Sequence, residues 1–183
     1  MAAPRRNATV VQMIVAMLVI FIPAILITRL FTIDPEPPVN PIDWRPVAQA
    51  AADEASFAVV APENLPESWV VTRARWIPAG QRGIGGDPVP ADTWQFGVLT
   101  AERSYLGLDQ RGPATPVFVD DVTRRGKVDG SSQAGGRTWE RYVSEDGRTH
   151  SLVTTSDDTV TIVSGDLPYE ALEAFASTLA PVS

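Results

Sequence analysis

The chain holds 183 residues, with 15 basic and 22 acidic side chains, a formal charge of −7, one histidine and no cysteine. The acidic balance argues against nucleic acid as a partner, because phosphate backbones are bound by an excess of Lys and Arg. The missing thiols exclude disulfides, thiolate metal sites and cysteine catalysis together, and a lone histidine excludes any metal centre built on two imidazoles.

The chain opens with a short tail, residues 1–8, that carries Arg5 and Arg6. From Thr9 to Thr28 no side chain is charged, and Arg29 closes the run. At 1.5 Å per residue, a helix of this length spans roughly 30 Å, the thickness of a bilayer's hydrocarbon core. Core helices of soluble domains rarely run so far without a charge. A cleaved secretory signal would be shorter and would end in a small-x-small site, whereas this run ends Ile27-Thr28-Arg29-Leu30-Phe31. Residues 9–31 are therefore predicted to be an uncleaved, single-pass transmembrane signal anchor whose partner is the lipid bilayer. Arg5 and Arg6 outweigh Arg29, which is followed by Asp34 and Glu36. The positive-inside bias thus predicts a cytoplasmic N-terminus in the cell membrane, with the rest of the chain outside.

Residues 32–46 include Pro35, Pro37, Pro38, Pro41 and Pro46. That density predicts an extended polyproline II spacer, at ~3 Å per residue. Residues 47–183 are enough for one ordinary domain with its own core, and they hold 11 basic and 19 acidic side chains. In chain order they predict a helix over 47–56, with Pro46 at its first turn, and a strand over 57–60. A two-proline turn then leads to a strand over 69–76. Alternation would put Val70, Thr72, Ala74 and Trp76 on one face of it, with Arg73 and Arg75 on the other. A Gly/Pro-rich loop over 78–91 precedes a hairpin of strands 93–100 and 105–110, turning at Ala101-Glu102-Arg103. Thr115 and Pro116 read as the cap and first residue of a short helix over 117–123. Strands over 137–144, 149–155 and 159–164 follow as a meander. A final helix opens at Pro168, with Leu172, Phe175, Ala176 and Leu179 on one face. The fold class predicted is α+β: an antiparallel sheet packed with two or three helices, preceded by one transmembrane helix.

Little in the sequence carries chemistry. His150 lies in the meander and reads as a structural residue. Asp120-Asp121 and Asp157-Asp158 are the candidate calcium pairs, but both lack the alternating spacing of a calcium loop and read as solvated turn residues. Gly83-Ile84-Gly85-Gly86 has glycines like a phosphate loop without the strand-to-helix context, and Asp87-Pro88 follows it. Arg124-Arg125-Gly126-Lys127 is a basic cluster suited to a helix C-terminus. Ser131-Ser132 lacks a nucleophile-elbow frame. No catalytic, cofactor-binding or metal-binding residues are therefore predicted, and no cofactor. The strand tryptophans suit core packing. A ligand groove next to the glycine-rich loop, lined by Trp76, Trp94, Tyr105 and Trp139, is the alternative use.

One apolar span, a proline-rich spacer and then Phe57-Ala58-Val59-Val60-Ala61-Pro62-Glu63-Asn64-Leu65-Pro66-Glu67-Ser68-Trp69 form an ordered set of parts. Trp94-Gln95-Phe96-Gly97-Val98-Leu99-Thr100, Tyr105-Leu106-Gly107-Leu108-Asp109-Gln110 and Gly136-Arg137-Thr138-Trp139-Glu140-Arg141 continue it. In that order the chain resembles the actinobacterial family called domain of unknown function 4245. The resemblance implies a single-pass cell-envelope protein and supplies no activity or catalytic residues. The A-P-x-x-L-P-x-x-W stretch and the closing helix are also similar to PsbP-like domains, which are non-enzymatic α-β-α modules. The function expected is a tethered, non-enzymatic extracytoplasmic domain that binds a protein or an envelope component. A carrier or sensor of an apolar envelope ligand is the alternative, and a hydrolase working with carboxylates alone is a third reading.

Overall fold

A computed structural model describes residues 12–23, 41–83 and 85–182. The chain divides into two units, Met1–Pro38 and Val39–Ser183. In the first, residues 12–23 form helix α1, whose apolar side chains, Met13, Ile20 and Phe21 among them, are exposed. Among the described residues, no helix is long and apolar enough to cross a membrane. The remainder of the predicted span, including Arg5, Arg6 and Arg29, lies outside the described residues, as does the spacer up to residue 40.

The second unit starts earlier than the proline content suggested. Ile42 N donates to Val71 O at 3.1 Å, and the Trp44 ring meets Phe96 edge-on, 5.3 Å between centroids. Helix α2 (Arg45–Glu54) holds Pro46 in its first turn. The physical reason is that Trp44 packs against the core while the Ile42 backbone bonds the edge of the sheet, so residues 41–46 join the domain.

Strands β1 (Val60–Pro62), β2 (Val70–Ile77), β3 (Asp92–Leu99) and β4 (Tyr105–Gly112) precede helix α3 (Pro116–Val122). Then follow β5 (Lys127–Ala134), β6 (Arg137–Val143), β7 (His150–Ser156), β8 (Thr159–Gly165), helix α4 (Tyr169–Ala176) and β9 (Leu179–Pro181). Seven strands make one antiparallel sheet in the order β2-β3-β4-β8-β7-β6-β5, while β1 and β9 pair separately. The class is α+β, as the element order predicted. Thr115 caps α3 by accepting from Phe118 N.

Two strands escaped the sequence reading. β5 is polar and largely exposed, and β9 is three residues long. What makes β5 possible is Gly135-Gly136, whose φ values of 55° and 71° form the tight, left-handed hairpin turn that glycine adopts without strain. β2 also departs from simple alternation. Val71 faces Val98 and Arg73 faces Gly97, so Thr72 is an extra, bulged residue. The core face of β2 therefore carries Val71, Ala74 and Trp76 in place of the predicted Val70 and Thr72. β5 has a similar irregularity between Val128 and Ser131, where Gly130 has φ 101°.

The main core lies on the sheet face covered by α2 and α4. Trp94, Phe96, Leu108, Trp139, Leu152 and Val163 meet Ala48 and Ala51 of α2 and Leu172, Phe175 and Ala176 of α4 there, all buried. On the opposite face, Phe118 of α3 closes a smaller cluster with Val153, Val160 and Ile162. Gln110, only 2 % exposed, points into the main core. It accepts from Val60 N at 2.8 Å and donates to Ala58 O and Thr161 Oγ1 at 3.3 and 3.1 Å. Trp94 Nε1 donates to Val60 O at 3.1 Å. Two core side chains thus satisfy the backbone of residues 58–60, which crosses apolar surroundings. Replacing Gln110 by Leu keeps the volume and strands those backbone groups. It should cost about 2–4 kcal/mol, read from denaturant midpoints at unchanged slope.

A polar cleft over strands β2 to β4

Helix α3 packs over β8 and covers one part of the second sheet face. Beside it opens a cleft of about 540 Å³. Arg73 of β2, Gln95 of β3 and Tyr105 and Asp109 of β4 line it, with Arg103 and Ser104 of the β3–β4 turn at one side. Val122 and Arg124 at the end of α3, Ser164 of β8, Asp166 just after it and Thr149 just before β7 complete it.

The centre of this face is a charge pair. Arg73 Nη2 donates to Asp109 Oδ2 at 3.1 Å and to Oδ1 at 3.3 Å, and Gln95 Nε2 donates to Oδ1 at 2.8 Å. Asp109 is 4 % exposed. Burial pushes its pKa above the ordinary carboxylate range, and the Arg73 guanidinium only partly offsets that. Next along β4, Arg111 donates to Thr93 Oγ1 at 2.9 Å and lies 3.9 Å from the centre of the Phe118 ring. Its desolvation lowers its pKa. Two buried atoms here lack any partner, Arg73 Nε and Gln95 Oε1, and Ser151 Oγ is unpaired as well. Polar atoms left unpaired in a protein interior are uncommon, and these cluster on one sheet face.

Tyr105 covers part of the pair. Its ring lies over Gly97 and Gly107, with the Arg73 guanidinium 5.7 Å from the ring centre. A Cβ at position 97 would come within 2.3 Å of Tyr105 Oη, so glycine is what lets the ring lie flat there. Partial burial raises the Tyr105 pKa. On the far wall Thr149 Oγ1 donates to Asp166 Oδ1 at 2.5 Å. Chemically, the cleft offers guanidinium and hydroxyl donors. Its most buried carboxylate is already engaged by Arg73 and Gln95.

Trp76, Trp94, Tyr105 and Trp139 are not brought together around one groove. Trp94 and Trp139 are fully buried in the main core, where their indoles donate to Val60 O and Ala134 O. Trp76 lies half-buried at the margin of the same face and donates to Glu54 Oε2 at 2.8 Å. Tyr105 is on the opposite face, because Tyr105, Gly107 and Asp109 alternate away from Leu106 and Leu108. Strand alternation, which the aromatic count ignores, separates them.

The other candidates have structural partners. His150 Nδ1 contacts Leu167 O at 2.8 Å, and the ring rests 4.6 Å from Tyr169. Ser132 donates to Glu173 Oε1 and accepts from Arg141 Nε, and Arg141 also holds Glu173 at 2.6 Å. Asp157 and Asp158, at φ 46° and 62°, form the β7–β8 hairpin turn, and Asp120 and Asp121 are exposed on α3. Among the described residues no group of three His, Cys, Asp or Glu is placed to hold a metal. Gly83 and Gly85 belong to a loop closed by the Arg82–Pro88 bridge, and the next element is strand β3 rather than a helix. Arg125 pairs with Glu145 at 3.0 Å in solvent, while its neighbour Arg124 lines the cleft. Sequence reasoning missed Arg73, Gln95 and Asp109. The available signal was an acid centred in Leu106-Gly107-Leu108-Asp109-Gln110, where a half-buried strand would have an apolar or neutral residue.

The profile of the family described as Protein of unknown function (DUF4245) matches residues 5–179. The chain belongs to that family. No curated protein matches it. Among solved structures, the complex of MucA and MucB from Pseudomonas aeruginosa aligns at TM-score 0.39 and 16 % identity, covering 68 % of this chain and 35 % of that one. MucB in complex with MucA(peri) aligns at TM-score 0.39 and 15 % identity, covering 69 % and 38 %. The chain thus spans well under half the length of the solved chains it matches, and an overlap this loose carries no argument about function.

The buried pair gives a signed pH dependence. The folded chain holds Asp109 above its ordinary pKa, so between the unfolded value, near 3.9, and the folded one it keeps a proton that the unfolded chain releases. Stability contributed by this group therefore falls as pH rises through that interval. Arg73→Leu removes the attraction that limits the shift and leaves the carboxylate unpaired. It should cost about 2–3 kcal/mol at pH 8, at the low end for a broken buried pair because Arg73 is partly exposed. The deficit should shrink at pH 5, which urea titrations at the two pH values would measure.

Proposed function

We propose that this chain is a membrane-tethered, non-enzymatic extracytoplasmic domain that binds an envelope partner through the cleft over β2 to β4. The observation that carries the reading is the cleft itself. It is a concavity of about 540 Å³, within the size range of ligand sites, and its floor has unpartnered polar atoms. The non-enzymatic part rests on the chemistry of the lining. His150 is occupied elsewhere, Ser132 is tied to Glu173 and Arg141, and Asp109 is buried against Arg73 and Gln95. The tether rests on the uncharged run from Thr9 to Thr28 and on the apolar side chains that α1 leaves exposed.

Topology and binding are tested separately. External protease on spheroplasts should remove the domain and leave a short membrane stub with its original N-terminus. A mature protein starting near Phe31 would overturn the tether. For binding, a photo-crosslinking residue replaces Ser104 at the cleft or Glu67 in the exposed turn before β2. Discrete crosslinked species in native membranes should arise from position 104 and be absent from position 67. Equal crosslinking from both, or none from 104, would remove the cleft as the binding face.

A further inference from the structure

We propose that a second surface, a hollow beside β2 and the loop that follows it, receives an acidic protein segment with interleaved apolar residues, gripped by Arg75 and Arg82. The hollow measures about 600 Å³ and shares no lining residue with the cleft, so it stands whether or not the cleft binds anything. The first argument is free charge. Arg73, Arg125, Arg141 and Arg148 are in ion pairs, and Arg111 is bonded to Thr93. Arg75 and Arg82 are both exposed, and among the described residues neither has a hydrogen bond or an ion pair. No acid lines their hollow. Two carboxylates that reach this region are already taken: Glu54 accepts from Trp76 Nε1, and Asp92 accepts from Ser56 and from Ala79 N. Asp87, the one acid of loop 78–91, makes no ion pair among the described residues and is not part of the lining. Each guanidinium offers a planar fork of donors matched to a carboxylate. Two of them, accessible and unneutralised in an acidic domain, concentrate anions at one place.

The second argument is the frame that holds the two cations. Arg75 stands on β2, directly across from Gln95 of β3. Arg82 stands on a loop tied back on itself: Gly80 N donates to Val89 O at 2.9 Å, Val89 N to Gln81 O at 2.8 Å and Gly83 N to Asp87 O at 2.9 Å. Asp92 fastens the start of the loop through Ala79 N at 3.0 Å. Both backbones are thus fixed before a ligand arrives, which limits the ordering cost of binding. The third argument selects the partner. Trp76, Ile77 and Pro78 give the same hollow an apolar wall. A polyphosphate or a hydrophilic acidic sugar would satisfy the cations and leave that wall in water. A peptide in which acidic and apolar side chains alternate covers both.

The test titrates the full chain in detergent, at fixed ionic strength, with the capped peptide Glu-Val-Glu-Val and follows amide chemical shifts. Saturable shifts at Arg75, Ile77, Gln81 and Gly83 are expected, and the neutral peptide Gln-Val-Gln-Val should bind at least fivefold more weakly. Arg75→Gln and Arg82→Gln should each weaken the acidic peptide at least fivefold. Arg137→Gln should weaken it less than twofold; Arg137 is exposed too, but it lies in another hollow that also holds Asp157. Equal binding of the neutral peptide, or equal weakening by Arg137→Gln, overturns the proposal. Saturation of the same amides by tripolyphosphate or glucuronate, without saturation by the acidic peptide, overturns the protein partner. Shifts confined to Gly97 and Gly107 would overturn the hollow and leave the cleft as the binding face.

Discussion

Strand β4 carries two consecutive buried polar side chains, Asp109 and Gln110, and alternation sends them to opposite faces of the sheet. Gln110 turns to the helix-covered side and bonds Val60 N and Ala58 O at the start of β1. Asp109 turns to the other side and gathers Arg73 from β2 and Gln95 from β3. Each face is thus organised by one polar group that would be costly to bury alone. A slip of β4 by one residue would exchange them, placing a carboxylate in the apolar core and an amide opposite Arg73. The pair therefore fixes the register of the strand as well as the chemistry of both faces.

The cleft exists because α3 is short. Its seven residues cover Val153, Val160 and Ile162 through Phe118 and end at Val122. Beyond that point β2 to β4 present Arg73, Gln95 and Asp109. Tyr105 partly fills the gap, and it does so by lying on the glycine pair Gly97 and Gly107. The result is a half-covered charge pair at the base of a hollow, a different environment from the dry tryptophan core on the reverse side.

The elements with strong periodicity were legible in the sequence. The hairpin of Trp94, Phe96 and Val98 with Leu106 and Leu108, the meander and α4 all follow from apolar spacing at two or at three to four residues. β5 was not legible, because an edge strand with little to bury has no apolar alternation to read, although Gly135-Gly136 marked its turn. The shift of Val71 into the core was hidden too, since a bulge changes the face of a strand without changing its composition. The cleft was the least legible part. Arg73 and Asp109 are 36 positions apart, and only strand pairing through β3 makes them neighbours. Counting aromatics pointed to Trp94 and Trp139, whose indoles are used up inside the core.

The two irregular strands are also the two ends of the sheet. β2 bulges at Thr72 and has Ile42 bonded to its rim through Val71 O, while β5 bulges beside Gly130 and begins with Lys127. A regular outer strand offers an uninterrupted row of amides and carbonyls to any neighbouring chain. Here both rows are broken, one by a kink and a covering segment, the other by a kink and a cation. Stacking of copies into a continuous sheet would require straightening a strand at each junction. The molecule therefore resists polymerisation through its own backbone, and contacts with neighbours are left to its side chains.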